Sequence, residues 1–425
     1  MDTELLSGDI IAIAGTFLVG FLVTLLAIPK IIEFTKKHKL MDDPTLDKEQ
    51  RKMHKDPIPT LGGVGIFIGF IVSAGLWLIL SYFKLIPSLN ISSISLDDIW
   101  LIGSIAVSLL ILFVTGIFDD LTDLSASKKF IIQIGTAILV ARFGLRIDLF
   151  AIFNIEIQPI FNISAGDIKT LSVIFEYAFS VFLIVGLTNA FNLIDGIDGL
   201  AGGLSFMNAL VLGILLLVVR DDLAFAFIAF GFAGALLGFL KHNFNPAKIF
   251  MGDTGSLIIG FLMSVLGIAL IKYSNATVPK TGNSEMIQYT VIVIGILLLP
   301  VYDTLRVFTE RILDNKSPFK PDKTHVHHLL IETGSNHKKA AIILYSANAI
   351  IIAMAFLLKS EKPIIAIPFL FVLATILSES INLKRFLIAI TKGQKAEKEK
   401  EKLKSENRLL SREKDEFDSL TDMDE

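Results

Sequence analysis

The feature that most constrains this chain is a succession of long apolar blocks separated by short polar connections. A helix needs about 20 mostly apolar residues to cross the hydrocarbon layer of a bilayer, with a usable range of roughly 17 to 25. Blocks of this kind run over 10–28, 62–83, 99–118, 130–145, 171–187, 204–219, 223–240, 255–271, 289–305, 340–358 and 363–381. The fourth is the weakest, because it carries Gln133 and Arg142. Eleven spans are expected, with ten as the alternative. Composition agrees: the 425 residues are 53% hydrophobic and only 19% charged, against about 25% charged in soluble domains. A soluble protein this apolar would need a core larger than its length allows. The expected fold is therefore an all-α polytopic membrane protein.

Lysine and arginine in the short connections give an orientation, since cytoplasmic loops are the basic ones. The connection after the first block holds Lys30, Lys36, Lys37, Lys39, Lys48, Arg51, Lys52 and Lys55, and the one after the ninth holds Arg306, Arg311, Lys316, Lys320, Lys323, Lys338 and Lys339. The opposite connections are poor, with Lys84 alone in one and Lys272 and Lys280 in another. Eleven spans put the N-terminus outside and the C-terminus in the cytoplasm. The start, MDTELLSGD, is acidic and no small-residue cleavage site follows, so the first block is expected to stay in the protein. Residues 1–391 read as the membrane domain and 392–425 as a charged tail, disordered or helical. The stretch 146–170 is too interrupted to span and alternates loosely, which suits a small outer hairpin.

Five polar clusters stand out, and this topology puts all of them at cytoplasmic ends: RKMHKDPIPTLGG, DDLTDLSASKK, NAFNLIDGIDGLAGG, NFNPAKIFMGDTGS and SPFKPDKTHVHH. Ionisable groups at membrane depth are expensive and mark function by default. Asp119 and Asp120 close an apolar block, where two carboxylates repel and oppose the helix dipole. They read either as a solvated helix stop or as a site for a hard cation such as Mg²⁺. Asn189, Asn192, Asp195 and Asp198 recur every three residues, on one side of a helical turn, with glycines between them that let a ligand approach the backbone. Asp253 sits just ahead of a block and suits both an N-cap and a ligand role. His325, His327 and His328 have no cysteine partner and no HExxH spacing. With Arg306, Arg311 and Lys323 nearby they look more like a phosphate-binding loop than a zinc site. His38, His242 and His337 stand alone and carry no claim. With no cysteine in the chain, thiolate chemistry is excluded. A net charge of −3 implies no nucleic-acid partner. Carboxylates for a metal, cations for phosphate and a glycine-rich loop at the membrane surface suit phosphoryl chemistry between a soluble donor and a lipid acceptor. The rival from another class is an anion transporter, which would put polar groups at mid-bilayer, often within an internal repeat; no repeat is found.

These motifs carry a resemblance. GG at Gly62, DD at Asp119, TNAFNLIDGIDGLAGG from Thr188, FMGDTGS from Phe250 and HVHH from His325 occur in order. Over roughly 40–340 the chain resembles the polyprenyl-phosphate N-acetylhexosamine-1-phosphate transferases (glycosyltransferase family 4). The resemblance implies transfer of a sugar-1-phosphate from a UDP-N-acetylhexosamine to undecaprenyl phosphate, with release of UMP, at the bacterial inner membrane and with Mg²⁺ (Mn²⁺ as a substitute). SPFKPDKTHVHHLL is similar to the WecA/TagO-type branch, which uses UDP-N-acetylglucosamine. The peptidoglycan branch has three consecutive histidines, whereas Val326 interrupts them here. By position, the resemblance assigns Asp253 and Asn192 to the metal and Asp119 and Asp120 to the reaction centre. Asn189, Asp195, Asp198 and Asn243 fall to the nucleotide sugar, and Lys129, Arg306, His325, His327 and His328 to phosphate and sugar. Lys52 and His54 would lie near the lipid carrier. A homodimer is left open, as are the stereochemistry of the sugar and the glycan that receives it.

Overall fold

The computed structural model describes residues 3–42, 57–83, 95–153, 165–219, 223–277, 288–317, 324–385, 387 and 390. The helices in this part are α1 (Thr3–Lys37), α2 (Gly62–Tyr82), α3 (Leu96–Thr122), α4 (Ala126–Arg142), α5 (Leu149–Phe153), α6 (Ala165–Ile194) and α7 (Leu200–Val219). They continue with α8 (Leu223–Asn243), α9 (Gly252–Thr277), α10 (Tyr289–Leu313), α11 (Val326–Glu332), α12 (His337–Leu357) and α13 (Pro363–Arg385). Ten of them are long and apolar enough to cross a membrane, all but α4, α5 and α11. In lipid every backbone polar group must be satisfied internally, which is why these blocks are helical. The chain is thus a multi-pass membrane protein. The fourth expected block is a helix of 17 residues, shorter than those ten. The loosely alternating stretch holds no strand among its described residues, so no hairpin forms there. Its run LFAIF (α5) is helical and packs on α6, because five consecutive apolar residues have no polar alternation to hold a strand. The remainder of that stretch up to Ala165, the pair Lys52 and His54, and the tail 392–425 lie outside the described residues.

Burial separates the centre from the rim. All of the most apolar stretch of α9 is buried, against 22% for α1, α6 and α13. So α9 is the shaft, with α2, α3, α6, α7 and α10 packed around it. Such helices gain little from the hydrophobic effect in lipid and associate through close packing, which favours small residues. Accordingly α8 presents Gly234 and Gly238 to α1, where an added Cβ would collide with the backbone of Phe17 or Phe21, and Gly231 to α2, where it would collide with Ser73. A short antiparallel pair, Met41–Asp42 with Ile58–Pro59, brackets the basic connection after α1. Beyond it the backbone of 59–63 runs against the segment ahead of α9: Phe250 N–H donates to Pro59 O, Gly62 N–H to Phe250 O, and Gly63 N–H to Met251 O, at 2.8, 2.9 and 2.8 Å.

Candidate active site

The described parts of all five polar clusters meet at one end of the bundle. There α3, α6, α8 and α10 finish, and α2, α4, α7, α9, α11 and α12 begin. The centre is Lys129, in the first turns of α4. Its Nζ lies 2.8 Å from Asp119 Oδ2 and 2.8 Å from Asp253 Oδ2, bridging α3 and α9. Asp119 is buried, and its other oxygen accepts the Leu124 amide at 2.7 Å. From α6, Asn192 Nδ2 donates to Asp253 Oδ1 at 2.6 Å and to Ser256 Oγ at 2.8 Å. Four helices therefore each place one polar group on a single spot.

Asp120 points differently from its neighbour. Its Oδ1 accepts the Asp253 amide at 2.7 Å, and its Oδ2 accepts the Thr254 amide at 3.1 Å and the Thr254 hydroxyl at 2.6 Å. A carboxylate at exposed helix N–H groups is an N-cap, and it meets the positive end of the α9 dipole. The cap at this terminus thus comes from α3, while Asp253 turns its own side chain to Lys129 and Asn192. This also accounts for two adjacent aspartates at a helix C-terminus: one is neutralised by Lys129 and the other by the start of α9. Gly252 makes the approach feasible. It has φ +72°, and a Cβ there would sit under 3.0 Å from the Asp120 carboxylate.

The glycine-rich loop after α6 lies beside this site, close enough for the charge of Asp120 to act on Asp195. Asp195 is half-buried and receives no hydrogen bond from any described residue. Burial, together with the nearby charges of Asp120 and Asp198, pushes its carboxyl up to about 7. Asp198 behaves oppositely. Burial disfavours its charge, yet His337, the Asn245 amide and the Ala247 N–H hold it below the usual carboxylate range. His337 Nδ1 is 3.1 Å from Asp198 Oδ1, so a histidine that looked isolated in the sequence supports this loop. Asn243 is buried, accepts the Gly199 amide at 2.9 Å and donates to Ile249 O at 2.9 Å; it ties the loop to the strand of chain ahead of α9. Asn189 donates to Gln133 Oε1 at 2.6 Å and to Val185 O at 2.8 Å. Gln133 was legible only as a flaw in the fourth block.

The HVHH segment joins α10 to the glycine-rich loop. His325 Nδ1 lies 2.9 Å from Asp303 Oδ2. His327 is 1% exposed, packs its ring over Gly196, stacks on His325 and meets His328 at a tilt. Burial and the neighbouring His328 drive its imidazole down to about 3, so the ring is neutral. Arg306 faces inward, donating to Asp303, Glu310 and Thr324 O. Asp303 is an ionisable residue inside an apolar helix, the one signal that could have found it.

Among the described residues no three His, Asp or Glu side chains form a self-sufficient metal cage. Mg²⁺ does not require one, since it binds through one or two carboxylates with substrate phosphates and water. Asp119 and Asp253 converge within 2.8 Å of one ammonium, and Asn192 keeps its carbonyl oxygen free of any hydrogen bond to a described residue. The residues present fit such an ion.

A family model described as glycosyl transferase family 4 matches residues 102–271, from α3 into α9. The chain is 33% identical over 373 residues to the probable undecaprenyl-phosphate N-acetylglucosaminyl 1-phosphate transferase of Bacillus subtilis (strain 168), covering 87% of this chain and 91% of that one. It is 30% identical over 310 residues to the decaprenyl-phosphate N-acetylglucosaminephosphotransferase of Mycolicibacterium smegmatis, covering 70% of each. To the undecaprenyl-phosphate alpha-N-acetylglucosaminyl 1-phosphate transferase of Escherichia coli (strain K12) it is 28% identical over 361 residues, covering 84% and 85%. The resemblance read from the motifs thus extends over most of the chain, and this protein belongs to glycosyl transferase family 4.

Proposed function

We propose that this protein transfers N-acetylglucosamine-1-phosphate from UDP-N-acetylglucosamine to undecaprenyl phosphate and releases UMP. The observation that carries the reading is the convergence of Asp119, Lys129, Asn192 and Asp253, from four helices, at one end of a membrane bundle. Relatives named for this reaction cover 84% or more of the chain. The acceptor is a phosphate monoester whose second pKa is about 6, so it is largely a dianion at neutral pH and needs little general-base help. An oxygen of the lipid phosphate attacks the sugar-bearing phosphorus, the pyrophosphate bond breaks, and the electron pair leaves with UMP. The difficulty is gathering like charges. Lys129 offers a cation there, and Mg²⁺, held by Asp253 and Asp119 with the Asn192 oxygen, would supply electrostatic stabilisation of the phosphate oxygens. A double displacement through an aspartate, with a covalent phosphosugar intermediate, is the alternative, and ping-pong kinetics would separate the two. The transporter reading loses ground, since these groups gather at helix ends.

Purified protein should release UMP from UDP-N-acetylglucosamine in the presence of undecaprenyl phosphate, and should not use UDP-MurNAc-pentapeptide. A site built around a substrate's hydrogen-bonding groups can reject a wrong analogue by about 10⁴ or more, and steric exclusion of a lactyl-peptide adds to that. Comparable rates with the pentapeptide donor would overturn the choice of donor while leaving the family intact.

For topology, we count α4 as an eleventh crossing, with the N-terminus outside and the site facing the cytoplasm of a bacterial inner membrane. Two facts support this. Helices α3 and α6 both finish at the site, so the chain between them must return across the bundle, and α4 packs along both. Its 17 residues extend about 26 Å at 1.5 Å per residue. Because the chain has no cysteine, single cysteines report location cleanly. In intact cells an impermeant thiol reagent should label Lys359→Cys and spare Lys338→Cys; the reverse pattern would invert the orientation.

A further inference from the structure

We infer that Asp303 is a positioning residue of the transfer reaction, clamping His325 so that one ring nitrogen is committed to the protein and the other is left for substrate. This deepens the functional reading above and rests on it. Asp303 is 2% exposed, on α10, and His325 is 5% exposed, at the start of α11. Three contacts fix the histidine. Its Nδ1 meets Asp303 Oδ2 at 2.9 Å, and the amide of the following residue, Val326, donates to Asp303 Oδ1 at 3.0 Å. The carbonyl of the preceding residue, Thr324, accepts from Arg306. Arg306 also donates to Asp303 Oδ1 at 3.1 Å, giving the buried carboxylate a counter-charge.

The chemistry follows from what each group can do. An ionised carboxylate only accepts, so Nδ1 must be the protonated nitrogen of the imidazole. Nε2 is then left as the working atom. It makes no hydrogen bond with any described residue, and it is not among the buried unpartnered atoms, unlike both nitrogens of His327. His325 also stacks on His327, whose ring covers Gly196 beside Asp195. So the clamp sets the position of Nε2 relative to the glycine-rich loop. A merely structural alternative exists, because Asp303 also caps α11 through the Val326 amide.

Asp303→Asn separates the two. The asparagine oxygen can still accept from Val326 and Arg306, preserving the cap, while its NH₂ faces His325 and forces the opposite tautomer. Loss of a partner that orients a metal-bound histidine typically costs about 10–100-fold, and a histidine oriented toward substrate should respond on the same scale. We expect kcat for UMP release to fall by about that factor, with the KM for UDP-N-acetylglucosamine little changed; the thermal midpoint should fall as well, because the buried Arg306 loses the charge opposite it. In a His325→Ala background the same change should have no further effect, since residues that act as a unit are not additive. An unchanged kcat in Asp303→Asn, or an equal loss with and without His325, would overturn the inference. If Asp303→Asn does not fold, His325→Asn replaces it. That side chain keeps an N–H for Asp303 but has no atom at Nε2, so an unaltered kcat would again overturn the proposal. Wild-type protein that releases no UMP would instead sink the transfer reading itself.

Discussion

Asp253→Ala is expected to abolish turnover, by on the order of 10³-fold, while the protein still inserts and folds. The size follows from what the carboxylate holds. Its Oδ2 is one of the two anchors of the Lys129 ammonium, and its Oδ1 fixes the Asn192 amide. Removing it frees a cation and an amide whose positions are defined by that carboxylate, and takes one of two acidic groups from the proposed metal site. The helix start itself should survive, because Asp120 bonds the backbone amides of 253 and 254 and does not depend on the Asp253 side chain. That separation makes the outcome diagnostic. The variant should keep the wild-type thermal midpoint, and no addition of Mg²⁺ or Mn²⁺ should restore it. Wild-type enzyme stripped by chelator should lose activity and regain it with either ion. Near-normal turnover in Asp253→Ala would reduce its role to local structure and remove the basis for placing a metal there.

How much of this was legible beforehand differs between fold and site for physical reasons. Membrane spans are written as long apolar blocks, so the ten helices long and apolar enough to cross could be read directly. The weak point was α4, where Gln133 and Arg142 dilute the block; Gln133 is there to receive Asn189. The LFAIF turn was missed because a run that short is compatible with strand or helix, and packing on α6 decides. In the site, residue types at fixed spacing located the clusters, and the bundle brings their described parts together. Spacing could not say which carboxylate does what. Asp119 and Asp120 are neighbours in sequence, yet one binds Lys129 and the other caps α9, because adjacent helical residues point about 100° apart. Nor could it find residues whose role is created by a distant partner. Asp303 lies in an apolar block, His337 stands alone, and Tyr345, whose hydroxyl donates to Gly199 O and fills the space beside Gly203, sits in an ordinary span. Each acts on a loop more than a hundred residues earlier or on a helix that the sequence alone does not bring near.

A second large effect is expected from residues with no chemistry at all. Helices α2 and α3 approach the start of α9 through Gly63 and Gly116. A Cβ on Gly63 would fall under 3.0 Å from the backbone of Thr254 and Gly255, and one on Gly116 under 3.0 Å from the backbone of Asp253 and Thr254. Backbone cannot swing aside as a flexible side chain can, so Gly63→Ala or Gly116→Ala must push a helix away from the residue that carries Asp253. Overpacking of this kind costs typically about 1–3 kcal/mol of stability. The functional loss should be larger than that figure conveys, because a displacement of about 1 Å at a reacting centre can cost about 10²-fold. For Gly116→Ala the shift also separates Asp119 and Asp120, one turn along α3, from Lys129 and the α9 amides they bond. Turnover in either variant should therefore fall by about 10²-fold or more, with KM and kcat both affected and expression in the membrane retained. Gly103→Ala is the control: it lies on the same helix as Gly116, nothing lies within 4 Å of its added methyl, and activity should be unchanged. If Gly116→Ala and Gly103→Ala were equally active, the close helix crossing would not be what positions Asp253, and the site would have to tolerate far looser geometry than its short hydrogen bonds imply.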